Sequence, residues 1–308
     1  MSAYNVLRGD DPWKQLVAKT GENYRSMRLG FQKKPFFYSY GRRFRFAVLP
    51  QVPETRLIYL RPQNYERVET DVMSRWLQPG DFAIDCGANV GLISALIARR
   101  TGRAGMIWAL EPAESTFQKL TLVLDALKLD QVRMINAAVS DRVGKVIFAD
   151  DEFASEANAI QTSEKMQPQC ITVEATTLEQ LLKSCASWPA LIKLDIEGAE
   201  PMAFRGWPSL ATIPDPPLLV FEVYPRGLQR LGLTPDDLFS ALPMSRFRFW
   251  HLNVSWPNLW PEFPRDVPFH LADPFSHKWP THSNVIALPI EGGFAARARR
   301  LRHLLPES

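Results

Sequence analysis

At 308 residues, with 46% hydrophobic and 22% charged side chains, the chain can hold one large α/β domain with additions or two small ones. Those proportions are ordinary for a soluble globular protein, and no apolar run approaches the roughly 20 residues of a membrane span. Cys86, Cys170 and Cys185 show no metal-ligand spacing. Their odd number, with an N-terminus lacking an apolar leader pattern, predicts a cytoplasmic protein.

The net charge of +3 is uneven, since residues 1–70 hold thirteen Lys/Arg against six Asp/Glu. Residues 13–29 are expected to form a short amphipathic helix. Lys33, Lys34, Arg42, Arg43 and Arg45 alternate with Phe31, Phe36, Phe37, Tyr38, Tyr40, Phe44 and Phe46. Such a mix can bind single-stranded nucleic acid. It can equally be one face of a β-hairpin, the reading preferred here. Phe44–Leu49 and Arg56–Leu60 are expected as two strands joined by a proline-containing turn. The helix expected over Glu66–Leu77 stops before Pro79-Gly80.

From there strands and helices alternate: strand 81–86, helix 91–100, strand 106–111, helix 114–127, strand 132–136. Alternation of this kind predicts a doubly wound parallel sheet. A hairpin is expected from 137–139 and 145–148, a strand at 171–174 and a helix at 178–183. Further strands are expected at 191–195, 218–223, 246–252 and 284–288. Between Trp256 and Pro280 lie six prolines and six Trp or Phe residues, so regular structure is not expected there. The expected organisation is an extension at 1–70, a main α/β domain at 71–290 with an aromatic loop at 255–282, and a basic tail at 291–308.

The most informative stretch is Asp81–Gly91, a short apolar strand running into a glycine turn and a helix. Units of this kind hold nucleotide-like ligands at the carboxyl end of a strand. The dinucleotide fingerprint has three glycines. Here Asn89 takes the middle position and Leu92 replaces the third. Asp85 stands two residues before Gly87, where a carboxylate opposes a diphosphate and suits a cation. S-adenosylmethionine, with a sulfonium, an ammonium and no phosphate, fits better than NAD. Glu111, about 20 residues past the glycines and ending the second strand, is placed to accept hydrogen bonds from ribose hydroxyls.

Asp85-Cys-Gly-Ala-Asn-Val-Gly91, Glu111-Pro112, Ala138-Val-Ser-Asp141 and Ile192-Lys-Leu-Asp-Ile-Glu-Gly-Ala-Glu200 together resemble the FkbM family of S-adenosylmethionine-dependent methyltransferases. Tyr65-Glu66 and Phe221-Glu222 also fit. The resemblance covers roughly residues 60–225. It implies a class I methyltransferase fold, a Rossmann-like doubly wound sheet with a small N-terminal extension. It also implies methyl transfer to a hydroxyl of a sugar or secondary metabolite. The cofactor residues expected on these grounds are Glu66, Asp85, Gly87, Asn89, Gly91, Glu111, Pro112 and Ala138.

A hydroxyl acceptor must lose its proton, so a carboxylate or histidine is expected near the strand ends. Asp195, Glu197 and Glu222 are the candidates, as a general base, an orienter of the sulfonium end or ligands of a hard cation; no resident metal is expected. Lys193 is placed to neutralise the group, and Glu200 to favour a helix N-terminus. His251 is the second-choice base. Trp256 and Trp260 are the candidate stacking residues for a small-molecule or glycan acceptor. A nucleic-acid methyltransferase is the alternative, although Asp195-Ile-Glu-Gly lacks the Pro-Pro-aromatic pattern of many base-amino methylases. An oxidoreductase or a non-catalytic binding protein fits less well.

Overall fold

A computed structural model of the chain describes residues 23–27, 29, 34–40, 44–60, 67–149, 159–160, 170–183, 185–252, 269–271, 283–301 and 305. They fall into two compact units, divided between Asp71 and Val72. Of the amphipathic helix expected at 13–29, residues 23–27 are helical and 13–22 lie outside the described residues.

In the first unit, β1 (Phe36–Tyr40) and β2 (Phe44–Val48) form an antiparallel hairpin, with Phe36 opposite Val48 and Tyr38 opposite Phe46. The strand expected at 56–60 is instead part of helix α1 (Pro53–Leu60). Proline is at home in a first helical turn, where its missing N–H has no partner to lose. Thr55, Ile58 and Tyr59 are buried, and their spacing of three and four puts them on one helix face. The Thr55 hydroxyl secures the start, accepting from Leu49 N at 3.0 Å and donating to Val52 O at 2.7 Å. Phe36 and Tyr38 each meet the Tyr59 ring edge-on, with centroids 5.0 Å apart. Such pairs add about 0.5–1.5 kcal/mol beyond their buried area. The hairpin thus supplies the apolar surface that turns an ambiguous apolar run into a helix.

The second unit is built on an eight-stranded sheet. Its first half alternates β3 (Phe82–Cys86), α3 (Leu92–Thr101), β4 (Met106–Leu110), α4 (Glu114–Leu127) and β5 (Val132–Ile135), preceded by α2 (Arg67–Trp76). A small three-stranded sheet follows, of β6 (Ala138–Val139), β7 (Gly144–Ala149) and β8 (Cys170–Thr176), then α5 (Leu178–Leu182). The second half runs β9 (Leu191–Leu194), α6 (Glu200–Arg205), β10 (Leu218–Val223), α7 (Pro225–Arg230), β11 (Phe247–Leu252), β12 (Phe269–Leu271) and β13 (Ser283–Pro289).

The order across the large sheet is β12-β11-β13-β10-β9-β3-β4-β5. Strands β5, β4, β3, β9 and β10 are parallel, whereas β13 is antiparallel to both β10 and β11. Every residue of β3, β9 and β10 is buried, as expected for strands covered on both faces. One face carries an edge-to-face run of Phe204, Phe221, Phe239 and Phe249, with centroids 5.4, 6.1 and 5.7 Å apart. Trp76 is fully buried and its indole N–H donates to Ala190 O at 2.6 Å. The chain leaves β3 in one direction and returns at β9 on its other side, so the crevice between these two strand ends is the topological switch point.

Three local expectations change. The pair 137–139 and 145–148 is not a hairpin: β6 and β7 flank β8, parallel and antiparallel to it. Part of the proline-rich segment is regular, because β12 pairs antiparallel with β11 at the sheet edge. Proline is tolerated there since Pro268 and Pro274 fall just outside its three residues. The tail expected at 291–308 to be merely basic is also tied down: the Arg297 guanidinium forks onto both carboxylate oxygens of Asp81 and lies 4.8 Å from the Phe294 ring centre.

Candidate active site

The switch point gathers the motif residues. Between β3 and α3 the chain makes a tight turn with three left-handed residues, Gly87 at φ 79°, Asn89 at φ 48° and Gly91 at φ 83°. Gly87 N and Ala88 N donate to Leu110 O at 3.0 and 2.9 Å, tying the turn to the end of β4. A Cβ on Gly87 would lie 1.9 Å from the carbonyl oxygen of Asp195, so only glycine lets the end of β9 pass so close.

Asp85 is 1% exposed. Its Oδ2 accepts from Ser94 Oγ at 2.6 Å, while Oδ1 is buried without a partner among the described residues. Burial raises its carboxyl above the usual aspartate range, against the pull of Lys193 and Ser94. Glu111, also buried, accepts from Asn89 N at 3.0 Å and Ala113 N at 3.2 Å. Pro112 is half-buried beside it, and Ala138 pairs with Ala175 where the small sheet begins. Glu66, Trp256 and Trp260 lie outside the described residues.

On the other side of the crevice, Asp195, Glu197 and Glu222 each bring a carboxylate oxygen within 4.8 Å of the other two. That spacing can share a proton or admit a hard cation. Lys193, buried in β9, donates to Asp195 Oδ2 at 2.8 Å. Glu197 stands in the left-handed region at φ 56°. Its carboxyl is pushed up to about 9, first by burial, then by the charges of Glu222, Asp195 and Glu200, with Arg230 opposing.

The expectation that Glu200 merely favours a helix start is too modest. Glu200 is fully buried, its Oε1 accepts from Ile196 N at 3.0 Å, and its Oε2 has no partner among the described residues. Its carboxyl is pushed up to about 8, chiefly by burial and then by Glu222. The folded state therefore holds a proton on Glu200 that the unfolded chain releases near pH 4.5. Stability from this group is complete below that pH and is lost as pH rises through about 8. Glu200→Gln should flatten that decline, which is at most about 1.4 kcal/mol per pH unit for one group. Denaturant unfolding at intervals from pH 5 to 8 checks it; an unchanged slope refutes the assignment.

His251 stands apart. It lies opposite Val285, which lies opposite Phe221, whereas Glu222 aligns with Asn284 and Leu252. Paired residues share a face and neighbours alternate, so the pleat puts His251 with Phe221 and on the other face from Glu222.

Three contributors carried no motif. Ser94 reaches back from α3 to Asp85. The Asn136 amide donates to Glu111 O at 3.0 Å and Pro112 O at 3.1 Å, fixing the end of β4. Arg230 Nη2 donates to Glu197 O at 3.2 Å, and Gly198 and Gly227 pack backbone to backbone beneath that bond. A Cβ on Gly198 would come within 2.3 Å of the Gly227 carbonyl carbon. Only the position of Asn136 just past the third strand pointed to the sheet edge.

A parallel sheet of this order, with an antiparallel strand inserted beside the fifth, a glycine turn after the first and an acidic end on the second, defines a class I methyltransferase. The family model for the methyltransferase FkbM domain matches residues 85–249, and the chain belongs to that family. It is an S-adenosylmethionine-dependent methyltransferase.

Solved structures similar to the chain include an rRNA methylase from Streptococcus thermophilus, 10% identical, with a TM-score of 0.40 and coverage of 72% of this chain and 93% of that one. Another is precorrin-6y C5,15-methyltransferase from Geobacter metallireducens, 12% identical, with a TM-score of 0.40 and coverage of 71% and 87%. A third is Aeropyrum pernix fibrillarin with natively bound S-adenosyl-L-methionine, 11% identical, with a TM-score of 0.35 and coverage of 68% and 67%. No curated protein sequence matches the chain. No helix among the described residues is long and apolar enough to cross a membrane.

Proposed function

We propose that the chain is an O-methyltransferase acting on a hydroxyl of a sugar, glycan or secondary metabolite. The Asp85–Gly91 turn takes the methionine end of S-adenosylmethionine and Glu111 the ribose. The observation that carries the reading is the cluster of three carboxylates, Asp195, Glu197 and Glu222, borne in part by the Asp195 segment whose backbone carbonyl packs against Gly87. In-line transfer to an alcohol needs alignment and a proton acceptor. Asp195 or Glu222 takes the proton, and Glu197, which keeps its own at neutral pH, donates a hydrogen bond that orients the acceptor oxygen. His251 is set aside as a base because it shares a face with Phe221. The same acidic group argues against a polyphosphate backbone at this edge, which like charge would repel. Trp256 and Trp260 are proposed to stack on the acceptor.

Labelled S-adenosylmethionine offered with panels of glycans, polyhydroxylated metabolites and RNA tests the reading. Alkali-stable label on a hydroxyl of a small acceptor supports it, and transfer to RNA alone overturns it. For the cofactor side, Glu111→Ala should weaken S-adenosylhomocysteine binding by about 1.5–3 kcal/mol, the scale of a hydrogen bond to a charged group. Calorimetry on the folded variant measures this, and an unchanged affinity removes Glu111 from the site.

A further inference from the structure

Methyl transfer changes the charge of the cofactor. The S–CH₃ bond breaks and an O–CH₃ bond forms. Sulfur keeps the electron pair, and the hydroxyl proton passes to a carboxylate. The donor is a sulfonium cation and the product a neutral thioether, so any fixed charge near the sulfur acts on one and not on the other.

Lys193 is such a charge. It is 5% exposed in the interior of β9. Its Nζ lies 2.8 Å from Asp195 Oδ2, and its neighbour in β3 is Asp85. The carbonyl of the same Asp195 packs against Gly87. Lys193 therefore sits between the turn assigned to the methionine end and the carboxylates assigned to the acceptor. Asp85, Asp195 and Glu222 converge there beside Glu197 and Glu200, and charged carboxylates without a cation among them would hold the sulfonium tightly. Ground-state binding of that kind, lost when the charge disperses, raises the barrier to transfer.

Resting on the cofactor assignment above, we infer that Lys193 is a specificity-determining residue: by neutralising Asp195 it sets the ratio of affinities for S-adenosylmethionine and S-adenosylhomocysteine. It does so through charge alone, which separates it from a residue that only supports the fold.

The test is calorimetric titration of both nucleosides into the full-length parent, Lys193→Met, Asp195→Asn and the double variant. Lys193→Met should raise the donor-to-product affinity ratio on the order of tenfold, the scale of a unit charge acting across a partly buried site. Asp195→Asn, which removes one carboxylate charge from the site, should lower the ratio below the parent's. The double variant should return it toward the parent. If Lys193→Met does not fold, Asp195→Asn decides alone. A ratio that stays at the parent value in the folded variants overturns the inference while leaving the cofactor site intact. Failure of the folded parent to bind either nucleoside overturns the cofactor assignment itself.

Discussion

Whichever of Glu222→Gln and Asp195→Asn removes the base should cut turnover on the acceptor by about 10²–10⁴-fold, the usual scale of general-base assistance. Affinity for S-adenosylhomocysteine should stay close to the parent's, because neither amide alters the Gly87 turn or Glu111. The two variants are expected to differ in detail. Asp195 is held by Lys193 at 2.8 Å, so its amide also disturbs a half-buried charge pair. Glu222 lies among carboxyls, and removing its charge relieves the repulsion that raises Glu197. The Glu222→Gln enzyme should therefore have its Glu197 midpoint shifted downward from about 9, visible in carbon-13 NMR of labelled glutamate. A variant that keeps full turnover on the acceptor excludes its residue as the base. An unmoved Glu197 midpoint breaks the link between the two carboxyls.

Gly87→Ala is expected to be the most damaging single change to the cofactor side. The new Cβ would stand 1.9 Å from Asp195 O and 2.9 Å from its carbonyl carbon, both backbone atoms. No side chain can swing away, so either the turn or the end of β9 must move. The left-handed conformation alone costs roughly 1–2 kcal/mol for a residue with a Cβ. Overpacking adds typically about 1–3 kcal/mol. Gly80 is the comparison, left-handed at φ 85° with nothing within 4 Å of its added Cβ. Gly80→Ala should show the conformational cost and bind S-adenosylhomocysteine normally. Gly87→Ala should lose more stability and most of its binding. Equal behaviour of the two variants in denaturant unfolding and calorimetry would dismiss the contact.

The turn proposed to hold the cofactor was legible in the sequence because its physics is local. Asp85, Gly87, Asn89 and Gly91 fall within seven residues, and Glu111 follows one helix and one strand later. The sheet was legible as a class, since buried parallel strands read as short apolar runs between helices. What escaped depended on distant partners. Arg56–Leu60 has the aromatic and β-branched content of a strand. It became helical because Phe36, Tyr38 and Val48 cover one face at helical spacing. The segments at 137–139 and 145–148 are close in sequence, yet each found β8 instead, which begins only at Cys170. Arg230 and Asn136 act on backbone carbonyls of other elements, and a carbonyl leaves no trace in residue identity. Glu200 stood in a recognisable motif, but its burial is a property of the packed turn.

The insertion of β13 between β10 and β11 has a consequence for how the chain is made. β11 hydrogen-bonds to β13 and β12 and has no strand partner earlier in the sequence among the described residues. When β11 leaves the ribosome, β10 has its inner neighbour β9 but not its outer one, and about thirty further residues must follow. At roughly 5–20 residues per second, the wait lasts a few seconds. During that interval the nascent sheet ends at β10, the otherwise apolar strand that carries Glu222, with its outer edge open. The acidic half of the site is thus the last part of the sheet to be enclosed, and a chain stalled between 252 and 283 presents that edge to chaperones or to other nascent chains.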